Sequence, residues 1–346
     1  MFSSGQALLQ LSWCLLKNGD IIFADTAEDE AAGKVVEITN VNDINIVSGL
    51  HTIVYRPKVK FADCFMGYYL NTNAYRHQLL PLMQGAKVLS LGRSHLATTF
   101  VCYPSSLDEQ AIIADFFRNL DVTIVLKKQQ YEQMINIKKA MLKKMFPQKG
   151  ADVPEIRFNG FTETWESKIL GDIATSYSGG TPAVGNVEYY DGSIPFIRSG
   201  EISSFSTELF ITSKGLSNSS AKMVDVGDIL YALYGATSGE VGISRINGAI
   251  NQAILCIKPH DNYDSNFIMQ WLRAKKLDIV NCYLQGGQGN LSGSIVRGIE
   301  LAVPSLNEQT EIGKFFRNLD TLITAQSDEL EKLKNIKKAC LSKMFI

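Results

Sequence analysis

The hexapeptide FFRNLD occurs twice in this sequence, at Phe116–Asp121 and again 199 residues later at Phe315–Asp320. The identity extends well beyond these six letters. Residues 107–146 align without gaps with residues 306–345, and 21 of the 40 aligned pairs are identical. Weaker matches precede both segments at an offset that grows to 208, as small loop insertions would make it. Such a repeat predicts that the chain folds as two copies of one unit.

Both repeated segments have the apolar spacing of a long helix that pairs with another helix. Apolar side chains recur at steps of four and three residues, and polar residues interrupt this a/d pattern at the same two places in each copy. The seam positions are Ile113, Phe117, Leu120, Ile124, Lys127, Tyr131, Met134, Lys138, Met141 and Met145, then Ile312, Phe316, Leu319, Ile323, Gln326, Leu330, Leu333, Lys337, Cys340 and Met344. We therefore predict an intramolecular helix pair, with each helix about 54 Å long. The sequence leaves the orientation open, but pseudo-twofold symmetry between the copies would make the pair antiparallel.

The remaining sequence predicts an α+β fold with two globular domains. The predicted boundaries are 1–104 for the first globular domain, 105–146 for the first helix, 147–161 for a linker, 162–304 for the second globular domain and 305–346 for the second helix. The linker carries two prolines and two glycines, which favour irregular backbone. Asp20 lies close to Met1, whereas its counterpart Asp228 lies 63 residues past Trp165. We therefore expect the first globular domain to be shortened at its start.

Composition and motifs exclude several classes of protein. No run of about 18 apolar residues is present, so no membrane span is expected. The six cysteines are scattered without a CxxC pair, which predicts neither a zinc site nor disulfides and indicates a reducing, cytoplasmic environment. The sequence lacks a P-loop, an HExxH motif and a GxSxG elbow, so we predict no catalytic site and no bound metal. The net charge of −1 differs from the strongly basic balance of many nucleic-acid-binding domains.

Glycine-rich turns carry polar side chains of the types that contact DNA. Arginine, asparagine, glutamine, serine and threonine read base edges, and lysine meets phosphates. The candidates are Thr181, Arg198, Lys222, Thr237, Ser238, Asn251, Gln252, Gln288 and Asn290, with Arg93 and Ser94 in the first domain. Because any one polar loop residue is more often solvated than functional, the prediction concerns the set.

The chain resembles the specificity subunits of type I restriction–modification systems over nearly its whole length. The resemblance is carried by PSSLDEQ…FFRNLD…NIKKAMLKKMF, by PSLNEQ…FFRNLD…LKNIKKACLSKMF and by GDILYALYGATSGEVGI…NQAILCIKP. It implies two α/β target recognition domains, each of which reads one half of a split DNA sequence. It also implies that the two long helices form an antiparallel coiled coil that separates these domains and docks the modification subunits.

The same resemblance implies that the chain has no catalysis and no cofactor of its own. S-adenosylmethionine, ATP and Mg²⁺ would be bound by partners, namely adenine-methylating modification subunits and an endonuclease–translocase subunit acting in cytoplasmic phage defence. The residues expected to pair the helices or dock partners are Phe116, Phe117, Arg118, Leu120, Asp121, Phe315, Phe316, Arg317, Leu319 and Asp320.

Two departures from the family pattern keep a second hypothesis open. Glu240 stands where related sequences often have a lysine, which the resemblance implies would face phosphate. Together with the shortened first domain, this allows a scaffold, or a silent or recombined variant, that assembles methyltransferase subunits without reading both half-sites. A stand-alone enzyme is the third and weakest hypothesis, since no catalytic constellation is present.

Overall fold

The computed structural model describes residues 15–28, 31–41, 45–85, 87–148, 150–284 and 290–345. The chain forms two compact units, of which unit 1 comprises Met1–Tyr131 and Ala325–Ile346, and unit 2 comprises Glu132–Thr324. Each unit therefore combines a globular domain with segments of both long helices. No helix in the described ranges is long and apolar enough to cross a membrane.

Unit 1 has a small globular domain built on a short antiparallel sheet. Its elements are β1 Ile21–Ala24, β2 Thr26–Glu28, β3 Val35–Glu37, β4 Thr52–Tyr55, α1 Phe65–Tyr69, α2 Asn73–Leu79, β5 Val88–Ser90, α3 Arg93–Leu96 and the first part of α4 Leu107–Lys144. Strand β1 lies between β3 and β4, and β2 pairs with β5. The apolar side chains Ile21 and Phe23 of β1 pack on Phe65 of α1 and form the core of this domain.

Unit 2 has the larger globular domain. Its elements after α4 are β6 Glu166–Ile169, α5 Leu170–Ile173, β7 Ala174–Ser178, β8 Tyr190–Ile197, β9 Phe210–Ile211, α6 Ser213–Ser217, β10 Lys222–Val224, β11 Ile229–Ala232, β12 Val241–Ile243, β13 Gly248–Ile250, β14 Ile254–Pro259, α7 Ser265–Ala274, α8 Lys276–Leu284, α9 Gly293–Arg297, β15 Glu300–Val303 and α10 Leu306–Lys343. The described strands form four-stranded sheets in the orders β10-β13-β8-β9 and β12-β11-β14-β7, and a two-stranded sheet of β6 and β15. Strands β8 and β13 are parallel, and the other strand pairs are antiparallel.

The two globular domains share one strand arrangement. In unit 2, β11 pairs with β12 and β14, as β1 pairs with β3 and β4 in unit 1. The turn before each central strand contains a glycine with positive φ, 84° at Gly19 and 100° at Gly227, a conformation that other residues adopt only at a cost. The next residue, Asp20 or Asp228, accepts a hydrogen bond from the backbone N–H three residues earlier. The repeat predicted from sequence is thus confirmed in the backbone.

A matching ion pair fixes this turn to the third strand of each sheet. Asp20 is buried and accepts a hydrogen bond from Arg56 Nη2 at 2.6 Å, while Asp228 lies 3.0 Å from Lys258 Nζ. Burial alone would raise the pKa of Asp20, but its hydrogen bonds with Arg56 and with the Lys17 N–H lower that pKa below its ordinary value. The carboxylate therefore stays ionised and holds the turn in place.

The long helices run antiparallel within each unit. In unit 1, Lys127 of α4 binds Glu329 of α10 at 2.8 Å. Lys337, further along α10, binds Asp121, which lies nearer the start of α4. In unit 2, Lys138 of α4 binds Asp320 of α10. Residue numbers rise along one helix as they fall along the other, so the predicted antiparallel coiled coil is confirmed.

Candidate nucleic-acid interface and helix junctions

The second phenylalanine of each FFRNLD motif is fully buried against the end of the other long helix. The ring of Phe117 stacks on that of Phe345, with centroids 5.7 Å apart and an interplanar angle of 21°. The ring of Phe316 stacks on that of Phe146, at 5.9 Å and 20°. Phe146 and Phe345 end the KMF triplets that close the two repeated segments. Each FFRNLD motif therefore packs on the KMF triplet of the other copy.

We define junction 1 as Phe117, Asp121, Lys337 and Phe345, and junction 2 as Phe316, Asp320, Lys138 and Phe146. In junction 2, Asp320 accepts hydrogen bonds from Lys138, from Gln270 Nε2 at 3.1 Å and from Arg273 Nη1 at 3.2 Å. Burial, and secondarily the charge of Arg273, lowers the pKa of Lys138, while its hydrogen bond with Asp320 opposes this shift. One carboxylate thereby joins α4, α7 and α10.

Junction 1 repeats this arrangement in unit 1. Asp121 binds Lys337 and accepts a hydrogen bond from the Tyr68 hydroxyl at 3.0 Å. The Lys337 ammonium also lies 5.7 Å from the centre of the Tyr68 ring. Burial, and then the hydrogen bond with Asp121, raises the pKa of Tyr68. The second polar interruption predicted in each seam, Lys138 or Lys337, is thus the partner of an FFRNLD aspartate, which sequence reasoning did not recognise.

The other predicted helix residues lie at different depths. Leu319 is only 8% exposed, whereas Leu120, its counterpart, is half-buried. Arg118 is exposed and binds Asp115 on its own helix, and Arg317 is exposed as well. The arginines therefore lie outside both junctions, on surface that a further subunit can reach.

The first phenylalanine of each motif differs between the units. In unit 2, Phe315 is half-buried against Phe158, with ring centroids 6.0 Å apart. Nearby, Glu308 accepts hydrogen bonds from Arg157 Nε and Nη2, both at 2.7 Å. In unit 1, Phe116 is 42% exposed. The predicted linker therefore does more than connect, because it covers the start of α10.

One buried glutamine near the start of each long helix fixes that helix to its own globular domain. Gln110 Oε1 accepts a hydrogen bond from the Ala62 N–H at 3.0 Å, and its Nε2 donates to the Pro104 carbonyl at 2.7 Å. Gln309 makes the two equivalent hydrogen bonds in unit 2. The two glutamines occupy equivalent positions of the repeat, and sequence reasoning assigned them no role, because their burial is set by tertiary packing.

The loops that carry several predicted DNA-contacting residues of unit 2 meet at the backbone of Leu233. The Leu233 carbonyl accepts hydrogen bonds from Ser238 Oγ at 3.1 Å and from the N–H of the residue after Asn290 at 2.9 Å. Its N–H donates to the carbonyl of the residue after Gln252 at 2.8 Å. Three loops that are distant in sequence therefore converge. Thr237 lies in the same turn as Ser238 and is half-buried.

The other candidates of unit 2 join this group across the neighbouring sheet. Thr181 Oγ1 donates a hydrogen bond to Gln252 Oε1 at 2.8 Å. Ile250, which precedes Asn251, is in register with Lys222 on β10. It is also in register with Ile197 on β8, which precedes Arg198. We call this group the polar cluster of unit 2; its members are Thr181, Arg198, Lys222, Thr237, Ser238, Asn251, Gln252 and Asn290.

The two basic members of the polar cluster differ in availability. Arg198 donates hydrogen bonds to Glu201 Oε1 at 2.8 Å and to Glu208 Oε2 at 2.7 Å, so its charge is neutralised within the domain. The hydrogen bond from Arg198 is the main cause that lowers the pKa of Glu201 to about 2. Lys222 is exposed, and none of the described residues forms an ion pair with it. Lys222 is therefore the available cation of the cluster.

The negative charge of Glu240, the acidic departure from the family pattern, is also compensated. Glu240 binds Lys276, which lies at the start of α8. Neither charge is then free to repel or attract a phosphate strongly. The remaining candidates lie elsewhere: Arg93 and Ser94 are exposed on α3 of unit 1, and Gln288 lies outside the described residues.

The family model for the type I restriction modification DNA specificity domain matches residues 162–335, half of the chain. The chain belongs to this family. A specificity subunit of Escherichia coli, that of the type I restriction enzymes EcoR124I and EcoR124II, is 25% identical over 176 residues, which cover 48% of this chain and 44% of the relative. The putative MjaX specificity subunit of Methanocaldococcus jannaschii is 25% identical over 343 residues, 94% of this chain and 77% of the relative.

The fold of this specificity-domain chain is also similar to that of a solved relative. The S subunit of a type I restriction–modification system from M. genitalium superposes with a TM-score of 0.67 at 17% identity, over 95% of this chain and 83% of the other. Within the described residues, no group of three or more His, Cys, Asp or Glu side chains is arranged to hold a metal ion.

Proposed function

We propose that this chain is the DNA-sequence specificity subunit of a type I restriction–modification complex. It recognises a bipartite DNA target and positions adenine methyltransferase and endonuclease subunits on it. The observation that carries this proposal is the polar cluster of unit 2, on a chain of the specificity-domain family. Its hydroxyl and amide residues come together from separate loops, and its two basic residues lie on or beside adjacent strands of one sheet.

The chemistry of the polar cluster suits direct reading of base edges. Amide side chains such as Gln252 and Asn290 pair with adenine in two-point hydrogen bonds, and hydroxyls such as Thr181 accept or donate to several bases. Exposed Lys222 is the residue proposed to meet a phosphate. Because carboxylates neutralise Arg198 and Lys276, these two cations contribute little to the charge attraction for DNA. Partner subunits that clamp the duplex would supply the rest.

The proposed partners carry the chemistry that this chain lacks. Modification subunits would bind S-adenosylmethionine and methylate adenine, and a restriction subunit would use ATP and Mg²⁺. The specificity chain itself would bind no cofactor, and it would meet its partners and DNA in the cytoplasm. Exposed arginines beside the two junctions, Arg118 and Arg317, are offered as docking positions.

Adenine methylation mapping over the whole genome tests this proposal. Cells with the chain and its modification subunit should methylate a two-part motif, and deletion of the chain alone should abolish that methylation. Re-expression should restore it, whereas re-expression of a Gln252→Ala, Asn290→Ala variant should relax one half of the motif. A methylome that does not change on deletion would overturn the proposal.

The scaffold hypothesis is the second candidate, and one observation favours it. The described strands of unit 1 form sheets of three and two strands, whereas unit 2 has two sheets of four and one of two. A smaller globular domain offers less surface for a reader. Under this alternative, the methylated motif would specify one half-site or none, while the chain would still bind its modification subunits.

A further inference from the structure

In unit 2, residues 154–169 cover the start of α10 through one charged and one aromatic contact. The Arg157 guanidinium makes a two-point ion pair with Glu308, whose side chain is 1% exposed. Phe158, the next residue, packs edge-to-face on Phe315. A buried carboxylate that faces a planar guanidinium is a specific and strong contact.

The same segment then continues as a strand. Residues Glu166–Ile169 of β6 pair antiparallel with Glu300–Val303 of β15. Trp165, just before β6, is buried, with its ring 5.6 Å from that of Phe267. As a result, Leu301 and Val303 of β15 are buried beneath the segment. Residues 154–169 thus provide a cation, two aromatic rings and a strand to unit 2.

Among the described residues of unit 1, none covers the same face in this way. Glu109, the counterpart of Glu308, is exposed, and none of the described residues forms an ion pair with it. Phe116, the counterpart of Phe315, is exposed, as are Phe100 and Tyr103 in the stretch that corresponds to β15. Residues 100–103 form no strand; instead, the Gln78 side-chain amide bonds both the N–H and the carbonyl of Phe100.

We propose that this face of unit 1, formed by residues 100–103, Glu109 and Phe116, binds a segment of another polypeptide built like residues 154–169 of this chain. Its arginine would pair with Glu109, and the phenylalanine after that arginine would pack on Phe116. Its strand would pair with residues 100–103, displacing the Gln78 amide from Phe100 and the Tyr69 hydroxyl from Cys102. This mode adds a strand to exposed backbone and anchors it by side chains on either side.

Charge argues for a separate polypeptide rather than for residues 1–14 of this chain. Residues 1–14 contain no lysine or arginine, so they have no cation to offer Glu109. The corresponding cation in unit 2, Arg157, is already engaged by Glu308. The occupant is therefore a segment in which an arginine directly precedes a phenylalanine, followed by a tryptophan and a short strand.

A labelled peptide with the sequence of residues 154–169, PEIRFNGFTETWESKI, tests the proposal on the full chain. Fluorescence anisotropy should give saturable binding to the wild-type chain. Glu109→Gln should weaken binding about tenfold, as should an arginine-to-alanine change at the Arg157 position of the peptide. The matched variant Glu308→Gln should leave the affinity unchanged, because it alters the corresponding position of unit 2.

Hydrogen–deuterium exchange locates the bound peptide independently of the variants. Amides of residues 100–103 should gain protection when the peptide is present. Absence of saturable binding, or equal binding by the wild-type and Glu109→Gln chains, would overturn the proposal. An effect of Glu308→Gln alone would also overturn it, since the peptide would then only be exchanging with the chain's own segment. None of these outcomes bears on the methylation test above.

Discussion

Arg198 illustrates how the role of a single residue depends on its neighbours. Its type and its place after β8 suit a base-reading or phosphate-binding side chain. Its guanidinium forms ion pairs with the carboxylates of Glu201 and Glu208. Glu201 also accepts a hydrogen bond from the Arg198 N–H at 3.0 Å. Arg198 therefore orders the loop that follows β8, and Lys222 is the better candidate for contact with DNA.

The ion pair between Arg198 and Glu201 should give the stability of the chain a pH dependence. The folded pKa of Glu201, about 2, lies below its ordinary value of 4.5, so the pair contributes stability above pH 4.5 that is lost as the pH falls toward 2. Glu201→Gln should lower the free energy of unfolding by on the order of 1 kcal/mol at pH 5, and by less at pH 3.

Urea unfolding of wild-type and Glu201→Gln chains at pH 5 and pH 3 measures this effect. The gap between the two midpoints should narrow at the lower pH. Glu208→Gln is the matched control, because the Glu208 side chain is 82% exposed and its loss should matter little at either pH. A gap that stays constant with pH would contradict the assignment of the stabilisation to the Glu201 carboxylate.

At the scale of elements, the long helices are tied together by the residues that break their apolar seam. Lys138 and Lys337 stand at seam positions, where a charge would be costly without a partner. Asp320 and Asp121 supply those partners, and stacked phenylalanine rings lie beside each pair. The interruptions therefore fix the register of the helices, as polar seam residues do in other coiled coils.

A charge placed in the seam should lower the free energy of unfolding more at a buried position than at a half-buried one. Leu319→Asp should lower the free energy of unfolding by about 3 kcal/mol or more, and Leu120→Asp by about half as much, because Leu120 is half-buried. Lys314→Ala is the exposed control, expected to change the free energy of unfolding by under about 0.5 kcal/mol. Chemical unfolding gives the three values, and capture of the modification subunit reports assembly.

Equal losses for the two leucine variants would contradict the depth argument. If Leu319→Asp left capture of the modification subunit intact, the long helices would not be its docking site. The stability result and the capture result can be interpreted separately, because a chain can lose stability and still be folded at the temperature of the capture assay.

The sequence was sufficient to predict the two long helices, but it did not predict which residues pair between them. The seam spacing and the repeat predicted two long helices, and symmetry gave their orientation. The partner of Asp320 was hidden because Lys138 lies 182 residues away, in the other copy. In the same way, polar residue types located the loops around Leu233, but whether Arg198 is free depends on where the Glu208 carboxylate lies. Spacing reports local periodicity, whereas these pairings follow from tertiary packing.

At the scale of the whole molecule, two units of one design suit a target made of two half-sites. Each unit has its own central strand, ion-paired turn and helix junction. The polar cluster lies wholly within unit 2. A change in this cluster should therefore affect one half of the target and leave the other half unaffected.

Two variants distinguish base reading from phosphate contact in the assembled complex. Asn290→Ala should cost about 1–3 kcal/mol of binding, and it should relax preference at positions of one half-site only. Lys222→Ala should weaken binding to all sequences alike and reduce the slope of affinity against salt by about one. Competition binding with half-site variants at several salt concentrations gives both readings. A uniform loss for Asn290→Ala would reassign it to a phosphate.

The crossing of the helices also imposes an order of events during synthesis. Asp121 of unit 1 pairs with Lys337, which lies 216 residues further along the chain, and Phe117 stacks on Phe345. The first globular domain leaves the ribosome long before these residues do. Until they emerge, the Phe117 ring packs on Tyr68 without Phe345, so the domain made first is completed last.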